Sequence, residues 1–244
     1  AFVAWFGGIA LRGAIWSVDI EIVRVSGVFR VYGDTISQLM NTFLLLAVAS
    51  GGYVVALWAL RRGFPRSFEA AIAGSALLTL AILPVTPLTS PDAIHFAADV
   101  RTLWLHGHYP GSGLPGVSST VPAKVDDPIA KEVRTFKDAP SSYGPVAYGV
   151  SGVTLPFVGD NVRANVFGVK AVAGIFLLLT AALTGLVARR LGRNAGLATA
   201  FVGMNPLMLW QYPGDGHNDT IMAALAMVAL LFVIHDRWPQ RILG

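Results

Sequence analysis

No cysteine occurs in the 244 residues. That excludes a disulfide framework, a thiol nucleophile and a cysteine metal site. Charge is also scarce: Asp, Glu, Lys and Arg make up 13% of the chain, against roughly 25% in soluble domains. Lipid selects for such a deficit, because a charge at the bilayer centre is costly. The formal net charge is only +4, and no dense basic face is present, so nucleic acid is not expected as a partner. There is no H-x-x-x-H pair, no internal repeat and no low-complexity tract. What fills the chain instead is apolar: 54% of residues are hydrophobic and the mean hydropathy is +0.60. The chain begins at Ala1 inside an apolar run that lacks a clear small-residue cleavage pattern, so no signal peptide is read. It stops at Gly244, just after the last apolar run. A fragment or a processed chain is therefore expected.

The apolar runs predict an all-α, polytopic bundle of transmembrane helices, with residues 1–244 as a single transmembrane domain. A span takes about 20 mostly apolar residues in a helix, the conformation that satisfies its own backbone groups in lipid. Leu39 to Leu60, Phe68 to Leu88, Ala171 to Ala188, Ala195 to Gln211 and Thr220 to Ile234 are the candidates. Ala1 to Val18 is a sixth, weakened by Arg12. Three arginine clusters flank them: Arg61, Arg62 and Arg66; Arg189, Arg190 and Arg193; Arg237 and Arg241. One topology puts all three in the cytoplasm, as the loop-charge rule requires. It leaves Ser90 to about Asn165, and Tyr212 to Asp219, on the outside. The 13-residue stretch Val146 to Val158 must then be interfacial or re-entrant.

Polar residues of interest gather in three external stretches. In the first, Asp92, His95 and Asp99 sit at i, i+3 and i+7, on one face of a helix predicted over 92–105. Ser90 or Asp92 can also simply cap that helix, and Arg101 lies on a different side. In the second, Gln211 to Thr220, the residues His217, Asn218 and Asp219 lie between two apolar runs. Asp219 as an N-cap is the plain alternative there. The two glycines permit a tight turn, and a new helix start suits an anion. The third, Ser141 to Pro145, is a turn sequence carrying Tyr143. Asp and His together leave a divalent cation open as a minority reading; no metal ligand is assigned.

At these stretches the sequence resembles the GT-C membrane glycosyltransferases, and among them the actinobacterial polyprenyl-phosphomannose-dependent α-mannosyltransferases. The matching residues are Pro91, Asp92 and Asp99 to Arg101, then Gly107 to Pro110, then Ser142 to Pro145. Ala188 to Leu191, Asn205 to Leu207 and Gly214 to Met222 complete the pattern. The final block, N-P-L followed by G-x-G-H-N-D, is the most specific. Ile94 and Phe96 replace aromatic Tyr positions of the family pattern, and Val100 replaces a Gly. The likeness covers roughly Phe68 to Ile234. Family members are about twice this length, so the chain would be the N-terminal part of a longer GT-C module.

The resemblance implies a multi-pass plasma-membrane enzyme whose site faces outward, in an external loop region of residues 90–165. It implies a polyprenyl-phosphate sugar donor, mannose by family, and a glycan or lipoglycan acceptor of the cell envelope, with membrane lipids around it. Transfer would proceed with inversion. Asp92 matches the family's catalytic Asp, which takes the proton of the acceptor hydroxyl. His95, Asp99, Arg101, Tyr143, His217, Asn218 and Asp219 are the candidate substrate-binding residues. Arg101 is the first choice for the donor phosphate, followed by Lys131 and the helix start at Asp219. The rival readings are a lipid-linked-sugar flippase or transporter, which would need polar residues near the bilayer midplane, and a non-catalytic membrane subunit.

Overall fold

A computed structural model of the chain describes residues 36–85, 87, 90, 92–111, 118, 120–133 and 140–234. The Ala1 to Val18 candidate and the Arg237–Arg241 cluster lie outside them. The described residues are helical and contain no strand, only an isolated bridge between Gly111 and Ser141. The first two helices are α1 (Ile36–Arg61) and α2 (Ser67–Ile82). α2 ends six residues before the expected Leu88. Leu83 N–H still bonds the Thr79 carbonyl at 3.1 Å, but Pro84 has no N–H with which to continue the ladder, so the chain leaves through a turn closed by Val85 N–H on the Ile82 carbonyl, 3.1 Å.

α3 (Asp92–Trp104) follows the expected bounds to within one residue. The apolar stretch after Pro145 is three short pieces rather than one rod: α4 (Pro145–Ser151), a 3-10 turn at Gly152–Thr154, and α5 (Leu155–Val158). The hub is α6 (Val162–Arg190), 29 residues long. It begins nine residues before the expected Ala171, because the Asn161 side chain caps it by accepting from Ala164 N–H at 3.0 Å. α6 is the one described helix that is long and apolar enough to cross a membrane by itself.

The run expected as one helix from Ala195 to Gln211 is broken. α7 (Ala195–Gly203) stops, and Asn205 caps α8 (Pro206–Leu209) by accepting from Leu207 N–H at 2.9 Å. Asn-Pro is a stop and a restart at once, since Pro fits the first turn of a new helix. A π-helical turn, Trp210–Gly214, continues α8. The chain then bends by 117° into α9 (Asp219–Val233), and this bent pair is a second candidate span.

Small residues let these helices approach closely, as in membrane bundles. A methyl on Gly196 of α7 would lie 2.7 Å from the Ser67 backbone at the start of α2. Polar links cross the bundle too: Thr220 Oγ1 donates to the Ala173 carbonyl at 3.1 Å, joining α9 to α6. The Asn194 side-chain amide donates to the Leu60 carbonyl at 2.8 Å, and the Arg189 guanidinium lies 4.7 Å over the Phe68 ring. These links put the Arg61–Arg66 and Arg189–Arg193 clusters at one end of the molecule. With a rise of about 1.5 Å per residue, Lys170 in the first third of α6 sits about 30 Å up the axis from Arg190. α3 packs against α6 nearer that opposite end.

Candidate active site

Asp92 opens α3. Its backbone N–H donates to Ser90 Oγ at 3.1 Å, so Ser90 occupies the capping role. The Asp92 carboxylate points elsewhere: its Oδ2 lies 3.3 Å from His217 Nδ1. Both side chains are partly open, Asp92 at 37% and His217 at 20%, so the pair is held yet reachable. The contact joins residues 125 positions apart, and a glycine makes it possible. Gly216 has φ +82°, and a Cβ there would fall 2.7 Å from the Ala93 Cβ. Only Gly takes this backbone conformation at no steric cost while letting the turn lie directly on the first turn of α3.

Further along the same face of α3, Asp99 is fully buried, and its Oδ2 lies 3.5 Å from His95 Nδ1. That is an ion-pair distance rather than a hydrogen bond, and neither Asp99 oxygen has a hydrogen-bond partner among the described residues. A buried carboxylate in that condition is costly to maintain, and such groups gather where ligands bind. Tyr143 enters from the loop before α4, its ring edge-on to Phe96 with centroids 5.2 Å apart. Burial pushes its hydroxyl pKa up to about 12, helped by the carboxylates of Asp92, Asp219 and Asp99. Tyr143 therefore remains a neutral hydrogen-bond donor. Burial likewise pushes the Tyr148 hydroxyl up, although Ser141 beside it opposes the shift.

The turn after Gly214 contributes its residues differently. Asn218 occupies the N-cap position of α9 but makes no capping bond. Its side chain is 7% exposed, and its Nδ2 has no hydrogen-bond partner among the described residues. Asp219 is the first helical residue, exposed rather than acting as the cap. His217 is thus brought beside Asp92, with Asn218 and Asp219 following it at the start of α9.

Arg101 does not join them. It is 4% exposed and fully engaged on the far side of α3. Its Nε donates to both Asp127 oxygens at 3.0 and 2.9 Å, Nη1 to the Gly159 carbonyl at 2.7 Å, and Nη2 to Asp160 at 2.6 Å. The geometry makes it a clamp that joins α3 to the segments at Asp127 and at Gly159–Asp160. Lys131 pairs with Asp126 on the open surface. Among the described residues, no group of three or more His, Asp or Glu is arranged to hold a metal ion.

Two residues went unread in the sequence. Lys170 is completely buried in α6, and Asp215 is 1% exposed in the turn before His217. A lone lysine one residue ahead of an uncharged 18-residue run was the available signal, since ionisable groups inside apolar helices mark functional sites.

The arrangement has a definite class. It is a helical protein with a carboxylate–imidazole contact at one end of a long apolar helix, an arrangement chemically able to accept a proton. The chain belongs to the alpha-(1->6)-mannopyranosyltransferase N-terminal domain family, whose profile matches residues 3–243. Alpha-(1->6)-mannopyranosyltransferase A of Corynebacterium glutamicum is 29% identical over 112 residues, 46% of this chain and 23% of its own length. Alpha-(1->6)-mannopyranosyltransferase B of the same organism is 24% identical over 246 residues, 94% of this chain and 39% of its own length. The chain therefore spans well under half the length of these relatives. No solved structure matches it. The resemblance read from the motifs is borne out at the level of the family.

Proposed function

We propose that the chain carries the base-bearing half of a membrane mannosyltransferase that uses a polyprenyl-phosphate sugar and works outside the cytoplasm. The carrying observation is the Asp92–His217 contact at 3.3 Å, with Tyr143 packed edge-on against Phe96 of the same helix α3. Asp92 takes the proton of an acceptor hydroxyl as that oxygen attacks the anomeric carbon from the face opposite the phosphate, which inverts the centre. The leaving lipid phosphate is a stable anion and needs little acid help. His217 orients Asp92, while Tyr143 and the Asn218 amide supply donors for sugar or phosphate oxygens. An apolar rim begins at the other end of α3, about 18 Å along the helix from Asp92: Trp104, Val146, Val153 and Phe157 are exposed, Phe157 at 86%. Such a rim suits the outer-leaflet interface and a prenyl chain. Arg101, in this reading, holds the external region together.

The test is transfer of labelled mannose from a polyprenyl-phosphate donor by the whole protein; no transfer to any envelope glycan or lipoglycan acceptor would reject the reading. Removing the imidazole with His217→Ala lowers kcat by about 10- to 100-fold, because the base loses the neighbour that holds its position, with folding intact. A multi-pass topology is also assumed. With no native cysteine in this stretch, Ser142→Cys reacts with an impermeant thiol reagent in intact cells, and Arg190→Cys reacts only after permeabilisation. Labelling of both from outside would overturn the orientation.

A further inference from the structure

We infer that Lys170 and Asp215 form a buried brace that sets the position of the His217 turn, making Lys170 a positioning residue for Asp92. This rests on the reading of Asp92 as the base. Lys170 is fully buried in an otherwise apolar stretch of α6. Its Nζ donates to the carbonyl of Val85, in the segment that leads into α3. The carboxylate of Asp215, also buried, acts on its charge. The aliphatic stem lies under the same turn: a Cβ on Gly216 would come 3.4 Å from Lys170 Cγ. One side chain thus bonds the approach to Asp92, stands in the body of α6, and lies under Gly216, the neighbour of both Asp215 and His217.

Short-range backbone bonds close the turn on its other side. Asp215 N–H donates to Trp210 at 2.8 Å, Gly216 N–H to Tyr212 at 2.7 Å, and His217 N–H to Gln211 at 3.3 Å. All three acceptors belong to the π-helical turn and move with it. Lys170 ties this turn to the segment at Val85, which precedes α3. A buried ammonium–carboxylate pair is a poor way to gain stability, because desolvation offsets the attraction and an apolar pair of similar volume does as well. Its use here is directional: it fixes where the turn lies relative to Val85, and so where His217 Nδ1 lies relative to Asp92.

The experiment uses the whole protein in detergent, with Lys170→Met, Asp215→Asn and the double variant. Single variants leave one buried charge alone and lose folded protein; the double variant removes both charges and keeps a melting temperature near the parent. In the double variant, amide exchange at Asp215, Gly216 and His217 rises about 10-fold or more while the middle of α6 is unchanged. Its kcat for transfer from the polyprenyl-phosphate sugar falls about 10-fold, with KM within about twofold. In a His217→Ala background the same double change lowers kcat by less than about twofold, since the brace acts through His217. Unchanged exchange in the turn overturns the brace, and equal losses in both backgrounds overturn its route through His217. If exchange rises but Asp92→Asn transfers at the parental rate, the brace survives and the catalytic reading of Asp92 falls.

Discussion

Asp92→Asn lowers the sugar-transfer rate of the whole protein by about 10³-fold, within the range for a general base, and leaves the amount and melting temperature of folded protein unchanged. The substitution keeps shape and keeps an oxygen near His217 Nδ1, but it deletes the basic lone pair. Stability is spared because helix α3 does not depend on this carboxylate: Ser90 Oγ accepts the Asp92 N–H. The loss falls on kcat rather than on KM, since the proton is taken only as the new bond forms. A rate within about twofold of the parent would assign Asp92 to binding or to nothing, and would leave the non-catalytic subunit as the better reading. Asp92→Glu is a useful companion, because it retains the base and displaces it by one methylene; a partial activity there, set against none in Asp92→Asn, separates chemistry from shape.

The parts of this site that local rules can reach were legible in the sequence. The helix from Asp92 to Trp104 and the helix beginning at Asp219 follow from apolar period and polar punctuation, and both lie within a residue of expectation. Gly216 was legible as a turn glycine, although its partner Ala93 was not. What escaped were pairings across the chain. Lys170 sits just before an uncharged window, where a scan for spans discards it, and its partners Val85 and Asp215 lie 85 and 45 residues away. Arg101 was read by its charge as a phosphate ligand. Its real partner, Asp127, lies 26 residues on in a Gly- and Pro-rich loop that carries no periodicity. The break at Asn205–Pro206 was readable and was passed over, because apolarity continues through it while the backbone does not. Hydropathy reports what lipid tolerates; it does not report where a helix must stop to satisfy its own N–H groups.

The Arg101 clamp makes the second large prediction, and it concerns folding rather than chemistry. Arg101→Met costs about 3–5 kcal/mol, because Asp127 is left buried without its cation. Asp127 is 2% exposed. Burial pushes its pKa up, but hydrogen bonds from Arg101, His106 and the N–H groups of Ala130 and Ile129 overcome this and hold it below the ordinary value of 3.8. A carboxyl depressed in the folded state binds its proton more readily when unfolded. Its contribution is therefore complete above that ordinary value and is lost as pH falls through the lower folded one. The parent protein should lose melting temperature in that acid window, and Arg101→Met/Asp127→Leu should lose less there, because no depressed carboxyl remains. At neutral pH the double variant recovers most of the stability that Arg101→Met removes, since an apolar pair replaces an ionic one. If Arg101 instead met the donor phosphate, the refolded double variant would show a donor KM raised about 10-fold or more. The clamp predicts a donor KM near the parent's, because Arg101 spends its N–H groups on Asp127, Gly159 and Asp160 and keeps the loop, not the ligand, in place.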